Sequence, residues 1–183
     1  TPRTVGLICS APAGGFGILE RVEAFADLAQ RKGLWLHVDA AFGGFMLPFK
    51  RDLGYRVDPF DFALPGVMSM MTDGHKLGLM PISTGFFIAR DPLLFNAIPT
   101  ELTLIHTTSS TKPGSRAAAA WAVMKHLGRV GYRRSTEQLM ELVQTLAAGI
   151  NEIPDLTLLT VPEVSVVVFT STTIDLADVH QIM

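Results

Sequence analysis

The first forty residues alternate between short apolar runs and one amphipathic segment, and this alternation constrains the fold more than any other feature. Residues 4–10 (TVGLICS) and 34–39 (LWLHVD) are apolar and β-branched, as in buried strands. Between them, residues 18–32 (ILERVEAFADLAQRK) repeat apolar side chains at helical spacing, and Gly33 follows as a stop signal. A strand, a helix and a strand in this order predict two parallel strands joined by a crossover helix.

The middle of the chain predicts further strands of the same sheet. Residues 61–64 (DFAL) and 67–72 (VMSMMT) have the composition of short strands, and residues 84–90 (TGFFIAR) form another apolar run. The connection before this last run is too short for a crossover helix, which needs roughly ten or more residues. We therefore predict that the strand at 84–90 runs antiparallel to the strand before it.

The second half of the chain changes character. Residues 115–128 and 132–153 predict two helices separated by a Gly-Arg-Val-Gly break. Residues 156–160 and 164–170 alternate like the strands of a small sheet, and residues 175–183 predict the start of another helix. The pattern thus predicts an α/β layer followed by helices and a smaller α+β unit.

These patterns divide the chain into three regions. We predict that residues 1–114 belong to a large α/β domain, that residues 115–153 are connecting helices, and that residues 154–183 begin a small C-terminal domain. The chain opens on Thr1 and stops within a predicted helix at Met183. We interpret it as a fragment of a longer protein.

Charge and composition argue against several classes of protein. The 15 basic and 17 acidic side chains give a formal net charge of −2, with no basic stripe suited to nucleic acid. No apolar run approaches the roughly 18 residues of a membrane span. The single cysteine, Cys9, excludes an intrachain disulfide framework and indicates a reducing compartment. Asp58, Asp61 and Asp73 lack the spacing of metal ligands, so we predict no metal site.

Two charged residues follow predicted strands, at the positions where open α/β sheets bind ligands. Asp39 ends one strand, and Lys76 stands just past another, in the stretch TDGHKLGLMP. Small residues follow the aspartate in AAFGG, and Gly74 and Gly78 flank the lysine, so both segments leave room for a flat ligand. We expect the two side chains to converge at one edge of the sheet.

A lysine and an aspartate that converge on a flat ring match the needs of pyridoxal 5'-phosphate. The amine of Lys76 would form a Schiff base with the aldehyde and so hold the cofactor covalently. The carboxylate of Asp39 would pair with the ring nitrogen and keep it protonated. This pairing gives a charged lysine between apolar segments a chemical role.

Three segments in order resemble a known family. LHVDAAFGGF, PFDFALPGVMSMMTDGHKLG and STKPGSRAAAAWAVMKHLGRVGY resemble the group II pyridoxal-phosphate-dependent decarboxylases. Within that group they are most similar to sphingosine-phosphate lyases and their bacterial relatives, and then to the archaeal tyrosine/aspartate decarboxylases. The resemblance implies the C-terminal part of a fold-type I, aminotransferase-like large domain, the start of the small domain, and a homodimer with a shared active site.

The resemblance also implies roles for residues at matching positions. Lys76 is the expected Schiff-base lysine and Asp39 the expected partner of the pyridinium nitrogen. Ala41 is expected to pack on the cofactor ring, and His75 to lie beside the cofactor phosphate.

A loop of this family reaches the cofactor phosphate of the neighbouring subunit. Here the loop reads STKPG, so Ser110, Thr111 and Lys112 are expected to contact that phosphate. Lys112 stands where arginine is usual, which loses bidentate phosphate geometry. MPIST also replaces the APKGS that is typical of the lyases, so the substrate stays open.

The implied activity is that of a carbon–carbon lyase working through an external aldimine. Its substrate would be an amino acid or an amino-alcohol phosphate, cleaved by decarboxylation or by aldehyde release. The family's ring-stacking histidine and phosphate loop lie upstream of Thr1, so we expect this chain alone to retain the cofactor weakly and to be inactive. We expect a cytoplasmic location, although eukaryotic lyases of this family carry an upstream membrane anchor.

Other interpretations stay open. The chain could be a truncated paralogue that acts as a dimerisation or regulatory partner, although the presence of both Lys76 and Asp39 argues against decay of the site. A cysteine desulfurase or aminotransferase of the same fold is disfavoured by the His75–Lys76 pair and by KPGSRAAAAW. His37, two residues before Asp39, is either a hydrogen-bond partner of that carboxylate or a core histidine.

Overall fold

A four-stranded sheet forms the centre of the computed structural model, which describes residues 1–93 and 114–182. In chain order its strands are β1 (Gly6–Ser10), β2 (Trp35–Asp39), β3 (Val67–Asp73) and β4 (Gly85–Ala89). They lie in the order β1-β2-β3-β4, with β1, β2 and β3 parallel and β4 antiparallel to β3. The predicted parallel pair and the predicted antiparallel last strand are both confirmed.

Helices follow and connect these strands. They are α1 (Val22–Lys32), a 3-10 turn (Gly43–Phe45), α2 (Leu47–Asp52), α3 (Ser115–Asn151) and α4 (Leu176–Ile182). A small antiparallel sheet pairs β5 (Thr157–Leu158) with β6 (Phe169–Thr170). These strands are shorter than the sequence pattern predicts. Gly33 ends α1 at φ 61°, a left-handed conformation that glycine adopts without a Cβ penalty.

The predicted break between two long helices falls at a single residue. The helical hydrogen bonding of α3 runs from Ser115 to Asn151, but Gly128 has φ 55° and ψ −169°, outside the helical region. Glycine tolerates this conformation, so α3 consists of two helical segments that meet at Gly128. The predicted domain boundaries at 114 and 153 stay predictions.

The predicted strand at residues 61–64 is wrong. The N–H of Ala63 donates to Asp61 Oδ1 at 2.8 Å, and the N–H of Leu64 donates to the Asp61 carbonyl at 3.0 Å. An aspartate that bonds the backbone two residues ahead forms a turn, and Pro65 follows directly. This local bonding outweighs the apolar composition of the segment.

One face of the sheet carries the core. Leu36 and Val38 of β2 are fully buried and pack in one cluster with Cys9 of β1. Each fully buried aliphatic side chain stabilises the fold by about 1.5–3 kcal/mol. Other buried members of the cluster are Val22, Ala26, Ala29, Ala40, Met46, Leu47 and Met70. The alternate residues of β1, β2 and β4 are more exposed, with Ile8 72% and Phe87 56% accessible, so the polar residues of β2 lie on this second face.

Candidate active site

Asp39 and Asp73 lie on the same face and at the same edge of the sheet. Asp39 is the last residue of β2 and pairs in register with Met71 of β3. Because alternate residues of a strand point to the same side, Asp73 shares that face with Met71 and Asp39. The chain that leaves β2 also crosses the end of β3, where the N–H of Asp73 donates to the carbonyl of Ala41 at 2.7 Å.

The amine of Lys76 is held at this edge. The N–H of Lys76 donates to the Asp73 carbonyl at 3.3 Å, which closes a turn directly after β3. Lys76 Nζ then lies 2.9 Å from Asp73 Oδ2. The lysine side chain is 44% exposed, so this ion pair contributes about 0.2–1 kcal/mol. The pair therefore places a solvent-accessible amine on the face of the sheet that carries Asp39.

Backbone contacts fix the carboxylate of Asp39. Its Oδ1 accepts the N–H of Ala41 at 3.0 Å, and its carbonyl accepts the N–H of Ala11 at 2.7 Å. Asp39 and Ala41 are half-buried, and Ala40 between them is fully buried. The Ala41 N–H thus orients the carboxylate and the bond from Ala11 holds the backbone that carries it, while part of the side chain stays open to a ligand.

The turn after β2 needs glycine because other backbone packs against it. A Cβ at Gly43 would lie 2.9 Å from the carbonyl carbon of Ala11, and closer still to its oxygen. A Cβ at Gly44 would lie 2.6 Å from Thr72 Cβ. Both distances are shorter than real Cβ contacts, so the small residues predicted to leave room for a ligand also hold this edge of the sheet together.

His75 bridges the lysine turn and the start of β4. Its Nδ1 lies 2.8 Å from the carbonyl oxygen of Thr84, and its own N–H donates to the same oxygen at 3.1 Å. Because a carbonyl only accepts, Nδ1 carries the proton in this arrangement. His75 Nε2 lies 4.0 Å from Asp73 Oδ2. The predicted role of His75 beside a phosphate stays a prediction.

His37 pairs with a serine that the sequence did not suggest. Its Nδ1 lies 2.8 Å from Ser69 Oγ, which also accepts the indole N–H of Trp35 at 2.8 Å. The His37 ring stacks on Phe87 with centroids 5.7 Å apart. Burial lowers the pKa of His37, and the nearby charge of Asp39 opposes that shift. Of the two interpretations left open, the structure shows a histidine packed and bonded within the sheet.

Tyr132 joins the lysine turn to the helices and was also missed by the sequence analysis. This tyrosine of α3 is 5% exposed, and its hydroxyl donates to the carbonyl of Gly78 at 2.9 Å. Gly78 lies two residues after Lys76. The only sequence signal was the position of Tyr132 at the end of the segment KHLGRVGY.

The predicted phosphate contacts of the STKPG loop fall on residues that the structure does not describe. Ser110, Thr111 and Lys112 lie outside the described residues, so their predicted role stays a prediction.

Within residues 1–93 and 114–182, no cluster of histidine, cysteine, aspartate or glutamate side chains has the geometry of a metal site. In the same part of the chain, no helix combines the length and the apolar character needed to cross a bilayer.

Comparison with known proteins extends over almost the whole chain. Residues 5–172 match the family described as the pyridoxal-dependent decarboxylase conserved domain. The chain is 39% identical over 178 residues to the L-aspartate decarboxylase of Thermococcus kodakarensis, covering 93% of this chain and 46% of that protein. It is 38% identical over 188 residues to the sphingosine-1-phosphate lyase of Oryza sativa subsp. japonica, covering 98% of this chain and 35% of that protein.

A solved structure shows the same fold. The sphingosine-1-phosphate lyase of Burkholderia pseudomallei superposes with a TM-score of 0.84 at 33% identity, over 97% of this chain and 42% of that one. The chain spans less than half the length of each of these relatives. Its α/β sheet is that of the fold-type I pyridoxal-phosphate enzymes. The family match and the two relatives together show that this chain belongs to the pyridoxal-dependent decarboxylases, a family of lyases whose cofactor is pyridoxal phosphate.

Proposed function

We propose that this chain carries the cofactor-binding lysine and the carboxylate of a pyridoxal-phosphate-dependent carbon–carbon lyase. The observation that supports it best is the position of Lys76 Nζ, 2.9 Å from Asp73 Oδ2, on the face of the sheet to which Asp39 belongs. A primary amine and a carboxylate at one edge of a parallel sheet occupy the usual position of ligand-binding groups in such folds.

The residues at this edge fit the cofactor. Lys76 offers an accessible amine, and Asp39 offers a carboxylate held by the N–H of Ala41. Ala41 and Gly44 present little side-chain bulk next to these groups. When bound, pyridoxal phosphate supplies an electron sink that stabilises the carbanion left when a bond to the substrate α-carbon breaks.

Lys76 has two tasks in this proposal. Its amine would hold the cofactor covalently, and an amine at this position would also be able to accept and donate a proton at the edge of the sheet. Asp73 Oδ2, at 2.9 Å, would hold the ammonium form of Nζ when the amine is free. Lys76 Nζ would be the group that returns a proton to the substrate, because its ion pair with Asp73 holds it at the edge of the sheet that carries Asp39.

Asp39 acts through its charge. A carboxylate at contact distance from the ring nitrogen raises the pKa of that nitrogen by about 1–3 units, which corresponds to about 1.4–4 kcal/mol. The N–H of Ala41 would keep the Asp39 carboxylate in place, and the bond from Ala11 would hold the main chain of Asp39. Substitution of Asp39 by asparagine would retain the shape and lose this charge.

The substrate is proposed only as a class. Relatives named for aspartate decarboxylation and for sphingosine-phosphate cleavage match at nearly equal identity, 39% and 38%. Both names describe cleavage of a carbon–carbon bond in an amine-bearing substrate. For a longer protein that contains this chain, the two reactions are separated by measuring carbon dioxide from L-aspartate and long-chain aldehyde from a phosphorylated sphingoid base.

The proposal is tested by trapping the cofactor on a longer protein that contains this chain, because the chain alone is expected to retain the cofactor weakly. Pyridoxal phosphate is added, the adduct is reduced with borohydride, and the labelled peptide is identified by mass spectrometry. We expect phosphopyridoxyl on Lys76, with little label on Lys125, which is an exposed lysine of α3. The Lys76→Ala variant should lose the label and Lys125→Ala should keep it. Equal labelling of exposed lysines, or none at Lys76, would contradict the proposal.

A further inference from the structure

Tyr132 contacts both segments that carry the proposed cofactor-binding residues. Its ring stacks on Phe49 of α2, with centroids 5.3 Å apart and an interplanar angle of 20°. It also lies against Phe45, with centroids 5.6 Å apart. Phe45 ends the 3-10 turn that follows Asp39. The ring of Tyr132 therefore packs on the segment that leaves β2.

The hydroxyl of Tyr132 contacts the other segment. It donates to the carbonyl of Gly78 at 2.9 Å, within the turn that carries Lys76. This turn is tightly built, because a Cβ at Gly78 would lie 2.6 Å from the carbonyl oxygen of Gly74. Leu79 next to it has φ 57°, a left-handed conformation that a leucine rarely adopts. Because the turn has this little free space, we expect a shift of Gly78 to move Lys76 as well.

We infer that Tyr132 is a positioning residue, which sets the place of the Lys76 turn relative to the segment that follows Asp39. This inference rests on the proposed function, because it assigns Tyr132 a role toward the lysine and aspartate pair. Burial raises the pKa of Tyr132, so its hydroxyl stays a donor over the usual working range. A residue that only packed α3 against α2 would need the aromatic ring but not the hydroxyl.

The hydroxyl can be removed with the ring left in place. Tyr132→Phe keeps the stacking on Phe49 and deletes the bond to Gly78. Tyr55→Phe is the matched control, because Tyr55 follows α2 and its ring contacts Lys50 rather than the lysine turn. Circular dichroism establishes that each variant is folded.

Hydrogen exchange tests the positioning without cofactor. The amides of Leu79 and Met80 donate to the carbonyls of Lys76 and Gly74 at 3.1 and 3.0 Å, so they report on the turn. Loss of one buried hydrogen bond predicts exchange about three- to tenfold faster at these amides in Tyr132→Phe. We expect the strand amides of β3 and β4, and all amides of Tyr55→Phe, to be unchanged. Unchanged exchange at the turn in Tyr132→Phe would overturn the inference.

Cofactor trapping tests the consequence for Lys76. The ratio of phosphopyridoxyl label on Lys76 to label on Lys125 should fall about three- to tenfold in Tyr132→Phe and stay constant in Tyr55→Phe. A lower unfolding temperature with an unchanged label ratio indicates a packing role only and would overturn the inference. If the unsubstituted longer protein shows no label on Lys76, the proposed function fails, and the exchange measurement alone decides the positioning.

A second variant covers the case in which Tyr132→Phe does not fold. Phe49→Leu removes the ring on which Tyr132 stacks and leaves the Tyr132 hydroxyl in place. Aromatic pairs contribute modestly, so we expect exchange of the Leu79 and Met80 amides to rise about twofold or more. No change in this variant would likewise count against the inference.

Discussion

The packing at Gly43 predicts a measurable loss of stability when a single methyl group is added. In Gly43→Ala the new Cβ would lie 2.9 Å from the carbonyl carbon of Ala11 and 2.9 Å from Leu47 Cδ1. The carbonyl oxygen of Ala11 would be closer still, so backbone must move by about 1 Å or more to reach ordinary contact, and a forced shift of this size in a packed core costs about 3 kcal/mol or more. For a chain of this length each kcal/mol lowers the unfolding temperature by about 2–4 °C.

The expected loss in Gly43→Ala is therefore at least about 6–12 °C, measured by far-UV circular dichroism. Gly15→Ala is the control, because a Cβ there would meet nothing within 4 Å. Its stability should change by less than about 0.5 kcal/mol. Since the N–H of Ala11 donates to the carbonyl of Asp39, Gly43→Ala should also weaken cofactor trapping at Lys76. An unfolding temperature equal to that of Gly15→Ala would refute the packing argument.

Two further predictions concern the core and the contact with the C-terminal segment. Burial and a hydrogen bond to Glu20 raise the pKa of the Cys9 thiol to about 12, so it should react with a thiol reagent at pH 8 only after unfolding. Reaction of the thiol in the folded protein at pH 8 would show instead that Cys9 is accessible. The thiol of the unfolded chain ionises near pH 9.0, so the contribution of Cys9 to the free energy of unfolding should be complete below that pH and be lost between about pH 9 and 12. Gly17 and Gly33 both have positive φ, but a Cβ at Gly17 would also lie 2.6 Å from Val166 Cβ. Gly17→Ala should therefore be more destabilising than Gly33→Ala in urea unfolding by about 1–3 kcal/mol, and equal midpoints would contradict the contact.

The elements that depend on local pattern were predictable. The first two strands and α1 follow from apolar spacing and from the stop at Gly33, and the antiparallel β4 follows from the length of one connection. The strand predicted at residues 61–64 failed, because Asp61 bonds the backbone two residues ahead and composition does not reveal that bond. The pattern also gave no sign of the register irregularity between Leu36 and His37, which displaces β3 relative to β2.

The site was predictable only in part. Asp39 and Lys76 could be selected because each follows a strand, and parallel strands place their carboxyl ends at one edge. The hydroxyl that contacts His37 could not, because Ser69 reaches that position through strand register rather than sequence spacing. Tyr132 lies 54 residues from its partner Gly78, and such long-range bonds leave no local pattern.

A crystal structure of a longer protein that contains this chain, with pyridoxal phosphate bound, would test the central claim most directly. The account predicts continuous density from Lys76 Nζ to the cofactor, and a carboxylate oxygen of Asp39 at a hydrogen-bonding distance of about 2.6–3.2 Å from the ring nitrogen. A cofactor joined to another lysine, or a ring nitrogen that faces away from Asp39, would contradict it.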